Sequence, residues 1–439
     1  MEDGADSRSE AAVRRLVSVR ATADLMFWRF RLYGFLKNLR FFDPFLILFL
    51  REMGLSFFEI GVLYSIREIS MNLLEIPTGI LADAFGRRRA MLASFAAYLA
   101  SFAVFYALPS FWAYVGAMVL YAIGETFRSG THKAMILEHL RQSHREGEKV
   151  AYYGRTRAAS QLGSAVAALL AGGLVLCSGG YRVVFLASMV PYVLGLGLLL
   201  TYPRSLDGER TAGSGNAWHR AAERLRLVLA DSARALRQPD LLRGLLSSAG
   251  FDAIFKSTKD YLQPILQAQA LALPVFLALS GEQRVAVVVG CIYFLIYIGT
   301  SFASSRAGRL ADRARSLAGA ANATFLVGLV ALALAGGSTW AGLPTLAVIA
   351  YLAVFAIQNL RRPVLVAYLA DLLSHRTMAT GLSVETQIRS ILMACVAPAL
   401  GFLADRAGVG AAILTIALAG GVVLAVGRVR SVGSGQESA

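Results

Sequence analysis

Residues 79–91 read GILADAFGRRRAM: an apolar segment runs into one acid, then a glycine and three consecutive arginines. The segment closes a hydrophobic run long enough to cross about 30 Å of hydrocarbon, and similar runs recur along most of the chain. Hydrophobic residues make up 56% of the 439 residues, charged residues make up 16%, and the mean hydropathy is +0.57. A water-soluble domain could not cover that much apolar surface. The composition therefore predicts a polytopic membrane protein.

The apolar runs are continuous rather than alternating, which is typical of membrane-spanning helices and not of barrel strands. Helices also satisfy every backbone N–H and C=O group internally, as a lipid environment requires. We therefore predict an all-α polytopic fold of 12 transmembrane helices, numbered α1 to α12 in chain order. Their predicted spans are 29–50, 57–82, 90–108, 112–140, 152–176, 182–201, 241–268, 285–306, 316–336, 343–371, 378–404 and 409–427.

A polar stretch divides the predicted helices into two groups of six. Residues 203–240 are rich in Gly, Ser and Arg, and their second part has apolar residues at helical spacing. This predicts a flexible linker followed by an amphipathic helix on the membrane surface. GILAD near the end of α2 resembles GRLAD near the end of α8, which predicts two pseudo-symmetric six-helix bundles. The predicted division is a tail at 1–25, bundles at 26–202 and 241–428, the linker at 203–240 and a tail at 429–439.

The formal net charge of +15 is unevenly distributed along the chain. Most Lys and Arg residues of the predicted loops fall on one side of the membrane, together with both termini. By the positive-inside rule that side is cytoplasmic. We therefore expect a multi-pass protein of the inner (plasma) membrane with both termini in the cytoplasm. Its large partner is expected to be the lipid bilayer and not nucleic acid.

The segment after α2 carries a recognisable pattern. Together with the predicted topology, it resembles the major facilitator superfamily of secondary transporters, whose loop signature is G-x-L-A-D-R/K-x-G-R/K-R/K. The signature is matched at Gly79, Leu81, Ala82, Asp83, Gly86, Arg87 and Arg88. Ala84 departs from it, and the copy after α8 has Arg315 in place of the second glycine. The resemblance implies a transporter whose two halves rock against each other, and it does not indicate the substrate.

The signature residues predict a gate at the cytoplasmic face. The carboxylate of Asp83 can accept hydrogen bonds from the N-terminus of a neighbouring helix and pair with a loop arginine. Gly79 would let the partner helix approach closely, and Gly86 would permit the tight turn. By resemblance, this clasp holds the outward-facing state. We assign the gate to Gly79, Asp83, Gly86, Arg87, Arg88, Asp312 and Arg313. Residues 401–410, GFLADRAGVG, contain a similar pattern at the end of α11, on the predicted non-cytoplasmic side. We assign them no switching role.

Charged side chains inside the predicted helices point to a central polar site. Each costs about 2.5–3.5 kcal/mol at the centre of a spanning helix, so such residues are expected to face protein or water. The resemblance implies that α1, α4, α7 and α10 line the central cavity, and all four carry charge. We predict proton-coupling roles for Asp43, Glu125, His132 and Asp252. We predict substrate binding by Arg40, Arg128, Lys256, Arg361 and Arg362.

A structural alternative stays open for the same charges. Helical spacing also permits internal ion pairs between Arg40 and Asp43, Glu125 and Arg128, Asp252 and Lys256, and Glu385 and Arg389. Ion pairing of this kind does not account for Arg361 and Arg362, which have no acid within one helical turn. The sequence therefore leaves both a solute site and a set of structural ion pairs as interpretations.

The chemistry of the chain predicts a transporter and not an enzyme. The five histidines are scattered, no P-loop occurs, and the three cysteines show no metal-ligand spacing. We expect a monomeric, proton-coupled secondary transporter that moves a small anionic or zwitterionic organic solute by alternating access, with no cofactor. A multidrug-type efflux pump is the main alternative, and a non-transporting membrane sensor or a membrane enzyme is a further one.

Overall fold

The computed structural model describes residues 25–207, 226, 238–274, 277–313, 316–373 and 378–430, and it describes their side chains except those of 150, 304–313 and 378–380. The two predicted tails lie almost entirely outside the described residues. The amphipathic helix expected within 203–240 also lies outside them. The proposed domain boundaries therefore stay a prediction.

The described residues form 12 long helical rods, which confirms the predicted all-α fold. In the first half, α1 comprises Leu25–Lys37 and Leu46–Glu52, followed by α2 (Phe57–Phe85), α3 (Arg87–Ala107), α4 (Phe111–Arg128 and Thr131–Gln142), α5 (Lys149–Ser178) and α6 (Val183–Leu200). In the second half, α7 comprises Pro239–Thr258 and Leu262–Ala272, followed by α8 (Gly281–Arg313), α9 (Leu317–Trp340), α10 (Pro344–Leu372) and the range Met378–Val426. That last range holds α11 and α12, which are separated by a kink at Gly408 with φ of 84°.

Seven helices in the described residues, with the range Met378–Val426 counted once, are long and apolar enough to cross a membrane by length and composition alone. They are α3, α5, α6, α8, α9, α10 and the combined α11–α12 range. The others are α1, α2, α4 and α7, and all of these carry charged residues within the predicted spans. Candidate polar residues thus lie on all four of these helices, and α10 also carries Arg361 and Arg362 although it is apolar enough to be counted among the seven.

Three helices are interrupted, a feature that the apolar pattern did not predict. α1 breaks after Lys37 and resumes through a 3₁₀ turn that contains Pro44, which has no backbone N–H to donate. α7 breaks at the 3₁₀ turn Lys259–Tyr261. α4 breaks at Gly130, whose φ of +81° is a left-handed conformation that favours glycine. A break at membrane depth frees backbone polar groups, which must then bond to side chains or line a polar cavity.

The two ends of the molecule need names. The linker face holds the end of α2, the start of α3 and residues 203–207, and we predict that it is cytoplasmic. The far face is the opposite end, and it holds the start of α2 at Phe57 and the kink at Gly408.

The two halves meet along two helix pairs, α2 with α11 and α5 with α8. Glycines allow backbone contact in both pairs. A Cβ on Gly61 would lie 2.3 Å from the carbonyl oxygen of Ala397, and a Cβ on Gly172 would lie 2.8 Å from that of Ala286. Small residues are typical of membrane helix interfaces, where association depends on close packing. Both contacts lie toward the far face, so the halves are joined tightly there.

Candidate functional site

Glu125 on α4 is the centre of a charged cluster in the first half. Its carboxylate pairs with Arg128 one turn along the helix, and it lies 3.3 Å from Nη2 of Arg40 and 4.0 Å from Nζ of Lys37. The Tyr98 hydroxyl on α3 donates to the same carboxylate. The Glu125 side chain is only 17% exposed, so the surrounding cations and the phenol, rather than bulk water, compensate its charge.

Local backbone features bring these side chains together. Lys37 ends the first segment of α1 and Arg40 follows in the non-helical stretch, so both can turn toward α4. A Cβ on Gly124 would lie 2.9 Å from the Tyr98 ring, so a glycine is needed for that ring to approach α4. Ser94 on α3 donates to the Gly124 carbonyl at 2.6 Å. The break in α1 and one glycine in α4 thus position the cluster.

Asp43 lies in the 3₁₀ turn of α1 and outside the contacts of Glu125. Its expected ion pair with Arg40 does not form, and its side chain makes no ion pair with any other described residue. Its backbone carbonyl accepts a hydrogen bond from Nε2 of Gln263 on α7 (2.9 Å), and Oε1 of that amide accepts one from the Ile47 N–H (2.8 Å). Asp43 therefore lies at a junction between the two halves.

His132 lies in an aromatic environment on the second segment of α4. Its ring stacks on Tyr33 with 3.9 Å between centroids and meets Phe30 edge-on at 5.5 Å. Its Nε2 atom is buried and has no hydrogen-bond partner in the part of the chain that the structure describes. The imidazole is therefore packed as an aromatic ring against α1.

Asp252 on α7 is the centre of a second charged cluster. Its Oδ2 lies 3.2 Å from Nζ of Lys256, one turn along the helix, and 3.6 Å from Nη1 of Arg389 on α11. Its Oδ1 accepts a hydrogen bond from Nε2 of Gln358 on α10 at 2.6 Å. Two of the four predicted in-helix pairs, Glu125 with Arg128 and Asp252 with Lys256, are therefore present, and each acid also has partners on other helices.

Arg362 and Glu385 border the Asp252 cluster, where both line a small cavity. Glu385 accepts a hydrogen bond from Ser248 Oγ at 2.8 Å, and its predicted pair with Arg389 does not form because Arg389 turns to Asp252. Arg362 is exposed, and its guanidinium makes no hydrogen bond or ion pair with the described residues. The Arg362 guanidinium thus differs from that of Arg389, which pairs with Asp252.

Arg361, the neighbour of Arg362, is held inside the second half and is 1% exposed. Nη2 donates to the carbonyl (2.9 Å) and the hydroxyl (2.7 Å) of Ser247 on α7. Nη1 donates to Thr324 Oγ1 (3.1 Å) and to the Ala321 carbonyl, both on α9. Arg361 borders the same small cavity as Arg362 and Asp252, but both of its terminal nitrogens donate to α7 and α9. The structure thus places Arg361 as a brace between α7, α9 and α10.

Each cluster lies next to the opposite half. Arg40 lies near Tyr297 of α8, and Lys256 lies near Glu68 of α2. In addition, the break in α1 is hydrogen-bonded to Gln263 just after the break in α7. The two carboxylates thus flank the boundary between the halves.

Two residues of the predicted gate at the linker face make no contact with the other half among the described residues. Asp83 is exposed and forms no hydrogen bond or ion pair with the described residues, and a Cβ on Gly79 would meet nothing within 4 Å. The expected clasp at Asp83 and close helix approach at Gly79 are therefore not formed here. Gly86 has a φ of +97°, as its predicted turn requires. The side chains of Asp312 and Arg313 lie outside the described ones.

Asp207, which we did not predict, holds the turn between α2 and α3. Its Oδ1 accepts the backbone N–H of Arg88 at 2.8 Å, at the N-terminus of α3. The Arg88 guanidinium donates to the Leu200 carbonyl at 2.5 Å, and Arg87 lies 3.9 Å from Glu138. These contacts of Arg87 and Arg88 all lie within the first half, so they do not close the gate in this conformation.

Solved structures of several transporters share this fold. The nucleoside transporter NupG matches with a TM-score of 0.71 over 92% of this chain and 98% of its own, at 12% identity. A D-xylose–proton symporter matches with a TM-score of 0.68 over 92% and 98%, at 14% identity. The peptide transporter POT in complex with sulfate matches with a TM-score of 0.68 over 91% and 92%, at 15% identity. At these identities the similarity shows the fold alone.

Sequence comparison agrees with the shared fold. The uncharacterized MFS-type transporter YxaM of Bacillus subtilis (strain 168) is 29% identical over 90 residues, which are 20% of this chain and 23% of that protein. The matched region thus spans less than a quarter of this relative. The family model described as Major Facilitator Superfamily matches residues 35–386, which is most of the chain. The chain therefore belongs to the major facilitator superfamily.

Proposed function

We propose that this protein is a proton-coupled secondary transporter that carries a small anionic or zwitterionic organic solute across the inner (plasma) membrane by alternating access. Its superfamily indicates a transporter rather than an enzyme. The observation that carries the proposed solute class is the charge balance of the two clusters. Around each central carboxylate the nearby cations outnumber the nearby acids, even when Asp43 is counted with Glu125 and Glu385 with Asp252.

The excess of positive charge is unfavourable where the dielectric is low. Glu125 is surrounded by Lys37, Arg40 and Arg128, and Asp252 by Lys256 and Arg389 with Arg362 nearby. An anionic group of the solute would neutralise this excess, and arginine offers planar paired donors that suit a carboxylate, phosphate or sulfonate. A cationic solute would add to the excess, which argues against a multidrug-type pump.

The Glu125 contacts also suggest how a proton could be coupled to the solute. The ionised carboxylate occupies the donors of Arg40 and Arg128 that a solute anion would use. A proton on Glu125 removes this competition, because a neutral carboxyl group no longer holds the cations. Proton binding and solute binding then favour each other. Asp252 can act in the same way in the second cluster, and Asp43 at the junction stays a second candidate.

Flux measurements in proteoliposomes test the proposal. Succinate, glutamate and glycerol 3-phosphate serve as anionic or zwitterionic probes, and tetraphenylphosphonium serves as the cationic probe. An imposed pH gradient should drive accumulation of at least one of the first three. Arg40→Ala should lower its initial rate about thirtyfold or more, since truncating one member of a buried charge pair costs about 2–5 kcal/mol. Accumulation of tetraphenylphosphonium alone would overturn the proposed solute class.

The coupling step has its own test. Glu125→Gln should abolish accumulation driven by the pH gradient but leave exchange of labelled solute, because the neutral amide imitates the protonated acid. Glu146→Gln is the matched control, since Glu146 is an exposed acid on the loop between α4 and α5 and should leave both measurements unchanged. Accumulation by Glu125→Gln that still follows the pH gradient would exclude Glu125 as the coupling residue.

A further inference from the structure

A carboxylate at the end of α11 joins the two halves at the far face. The two oxygens of Asp405 accept the backbone N–H groups of Phe57 (2.9 Å) and Phe58 (2.8 Å), in the first turn of α2. These N–H groups have no partner within their own helix, and the positive end of the helix dipole points at the acid. One charged side chain of the second half thus caps a helix of the first.

The folding of α2 does not depend on this contact. Ser56 already caps the helix, because its hydroxyl accepts the Glu59 N–H at 3.1 Å and the Glu59 carboxylate accepts the Ser56 N–H at 2.7 Å. This reciprocal capping box is a complete local start signal. Asp405 therefore adds a contact between the halves to a helix that already begins correctly.

The backbones of α2 and α11 touch one turn before Asp405. A Cβ on Gly401 would lie 2.1 Å from the Phe57 carbonyl oxygen, so only glycine fits at that position. Further along the seam, Ser65 Oγ donates to the Ala394 carbonyl at 2.8 Å. Residues 401–405 read GFLAD, so the glycine makes the contact and the acid follows four residues later at the cap.

The same five-residue pattern occurs at the other end of the seam. Residues 79–83 read GILAD and end α2 at the linker face, as GFLAD ends α11 at the far face. The two helices are antiparallel neighbours, so each pattern lies beside the N-terminal part of the other helix. Gly401 and Asp405 contact α2 in this conformation, whereas Gly79 and Asp83 make no such contact with any residue that the structure describes.

We propose that Asp405 is the far-face counterpart of Asp83, and that the two carboxylates clasp α2 and α11 alternately. Asp405 caps α2 when the halves are closed at the far face, as in this structure, and it must release the two N–H groups before that face can open. The proposal rests on the alternating access proposed above. It replaces our expectation that residues 401–410 have no switching role.

Other contacts at the far face agree with a closed state there. The Phe57 ring stacks on Tyr261 of α7 with 5.5 Å between centroids. Gln263 of α7 is fully buried and bonds to the carbonyl of Asp43 and the N–H of Ile47 in α1. These contacts are neutral, so Asp405 supplies the charged contact of this closure.

Distance measurements between spin labels test the proposal without any knowledge of the solute. The three native cysteines, all exposed, are first replaced by serine. One label pair spans the far face at Trp112 and Trp340, and the other spans the linker face at Ser143 and Asp371; all four positions are exposed. Double electron–electron resonance then gives the populations of the two conformations in each variant.

Asp405→Ala should raise the ratio of far-open to far-closed protein on the order of tenfold, as expected when an exposed side chain that caps a helix N-terminus is lost. The far-face distance should lengthen and the linker-face distance should shorten together. Asp83→Ala should move both populations in the opposite direction. Arg406→Ala is the matched control, because Arg406 is an exposed charged residue next to Asp405 and its contact with the Phe402 ring stays within α11.

Asp405→Asn and Asp405→Glu test the proposal even if the alanine variant does not fold. Asn keeps the shape without the charge and should shift the populations partly, whereas Glu keeps the charge and should shift them least. Unchanged distances in a folded Asp405→Ala protein, or a shift in the same direction as that of Asp83→Ala, would overturn the proposal. A shift as predicted in a protein that moves none of the flux probes would instead leave the clasp standing and contradict the proposed solute class.

Discussion

The clusters around Glu125 and Asp252 have similar arrangements but differ in the number and kind of groups that contact the central carboxylate. Each acid pairs with a cation one turn away on its own helix and with a cation on another helix. Glu125 has three cationic neighbours and a phenol, whereas Asp252 has two cations and an amide. The first half therefore holds more excess positive charge around its acid. It should be the more sensitive half when that acid is removed.

The largest expected effect is that of Glu125→Ala. It leaves the buried Lys37 and the partly buried Arg40 and Arg128 without their carboxylate, and removing one partner of a buried ion pair costs about 3–5 kcal/mol. We expect a loss of stability of that size and the loss of solute flux. Thermal unfolding of the purified protein, compared with Asp252→Ala, checks the ranking. A larger loss for Asp252→Ala would reverse the comparison between the halves.

Arg361→Met tests whether Arg361 belongs to the second cluster or braces the bundle. Methionine fills the space but donates no hydrogen bond to Ser247, Ala321 or Thr324, and hydrogen bonds to charged groups contribute about 1.5–3 kcal/mol each. We expect a lower melting temperature and an unchanged KM in the fraction that folds. Arg362→Met is the matched control, with the reverse pattern. An increased KM for Arg361→Met at unchanged stability would place Arg361 in the solute site.

Asp252→Asn should have a moderate effect. The amide oxygen can still accept the hydrogen bond from Gln358, but the attraction to Lys256 and Arg389 is lost. We expect a stability loss of about 1–2 kcal/mol, smaller than for Glu125→Ala, because only two cations lose their partner. Chemical unfolding monitored by fluorescence measures it. Equal losses of stability for Asp252→Asn and Glu125→Ala would contradict the expected difference between the two clusters.

The smallest effect is expected for His132→Phe. A phenyl ring can keep the stacking on Tyr33 and the edge contact with Phe30, and no hydrogen bond of Nε2 is lost. We expect flux within about threefold of the wild type, as for a substitution that keeps volume. The pH profile of flux should also stay the same. A shift of the pH profile would instead indicate that His132 takes part in proton coupling, as the sequence analysis predicts.

The sequence predicted the fold and two of the four ion pairs expected within single helices. The twelve apolar runs, the turn at Gly86 and the pairs of Glu125 with Arg128 and Asp252 with Lys256 follow from length, backbone conformation and helical spacing. Lys37 could also have been found, because it lies three residues before Arg40. Contacts between helices were not predictable, since spacing along one helix carries no information about which face meets which neighbour.

Two kinds of signal were absent from the sequence. Tyr98 and Gln358 are neutral, so nothing in their helices distinguishes them from packing residues, yet both bond to the central acids. The conformational state was also not predictable. The pattern GxLAD marks both ends of the α2–α11 seam, but only coordinates show that Asp405 is engaged and Asp83 is exposed.

The bracing of Arg361 has a consequence for biosynthesis. α10 enters the bilayer with two adjacent arginines, and each one disfavours insertion of an isolated helix by about 2.5–3.5 kcal/mol. The carbonyl and hydroxyl groups that receive Arg361 belong to α7 and α9, which the ribosome completes earlier. We expect α10 to depend on these earlier helices for its entry, so that a reporter fused after α10 alone inserts poorly and one fused after α7–α10 inserts well. The insertion of α10 would then depend on the order in which the helices are synthesised.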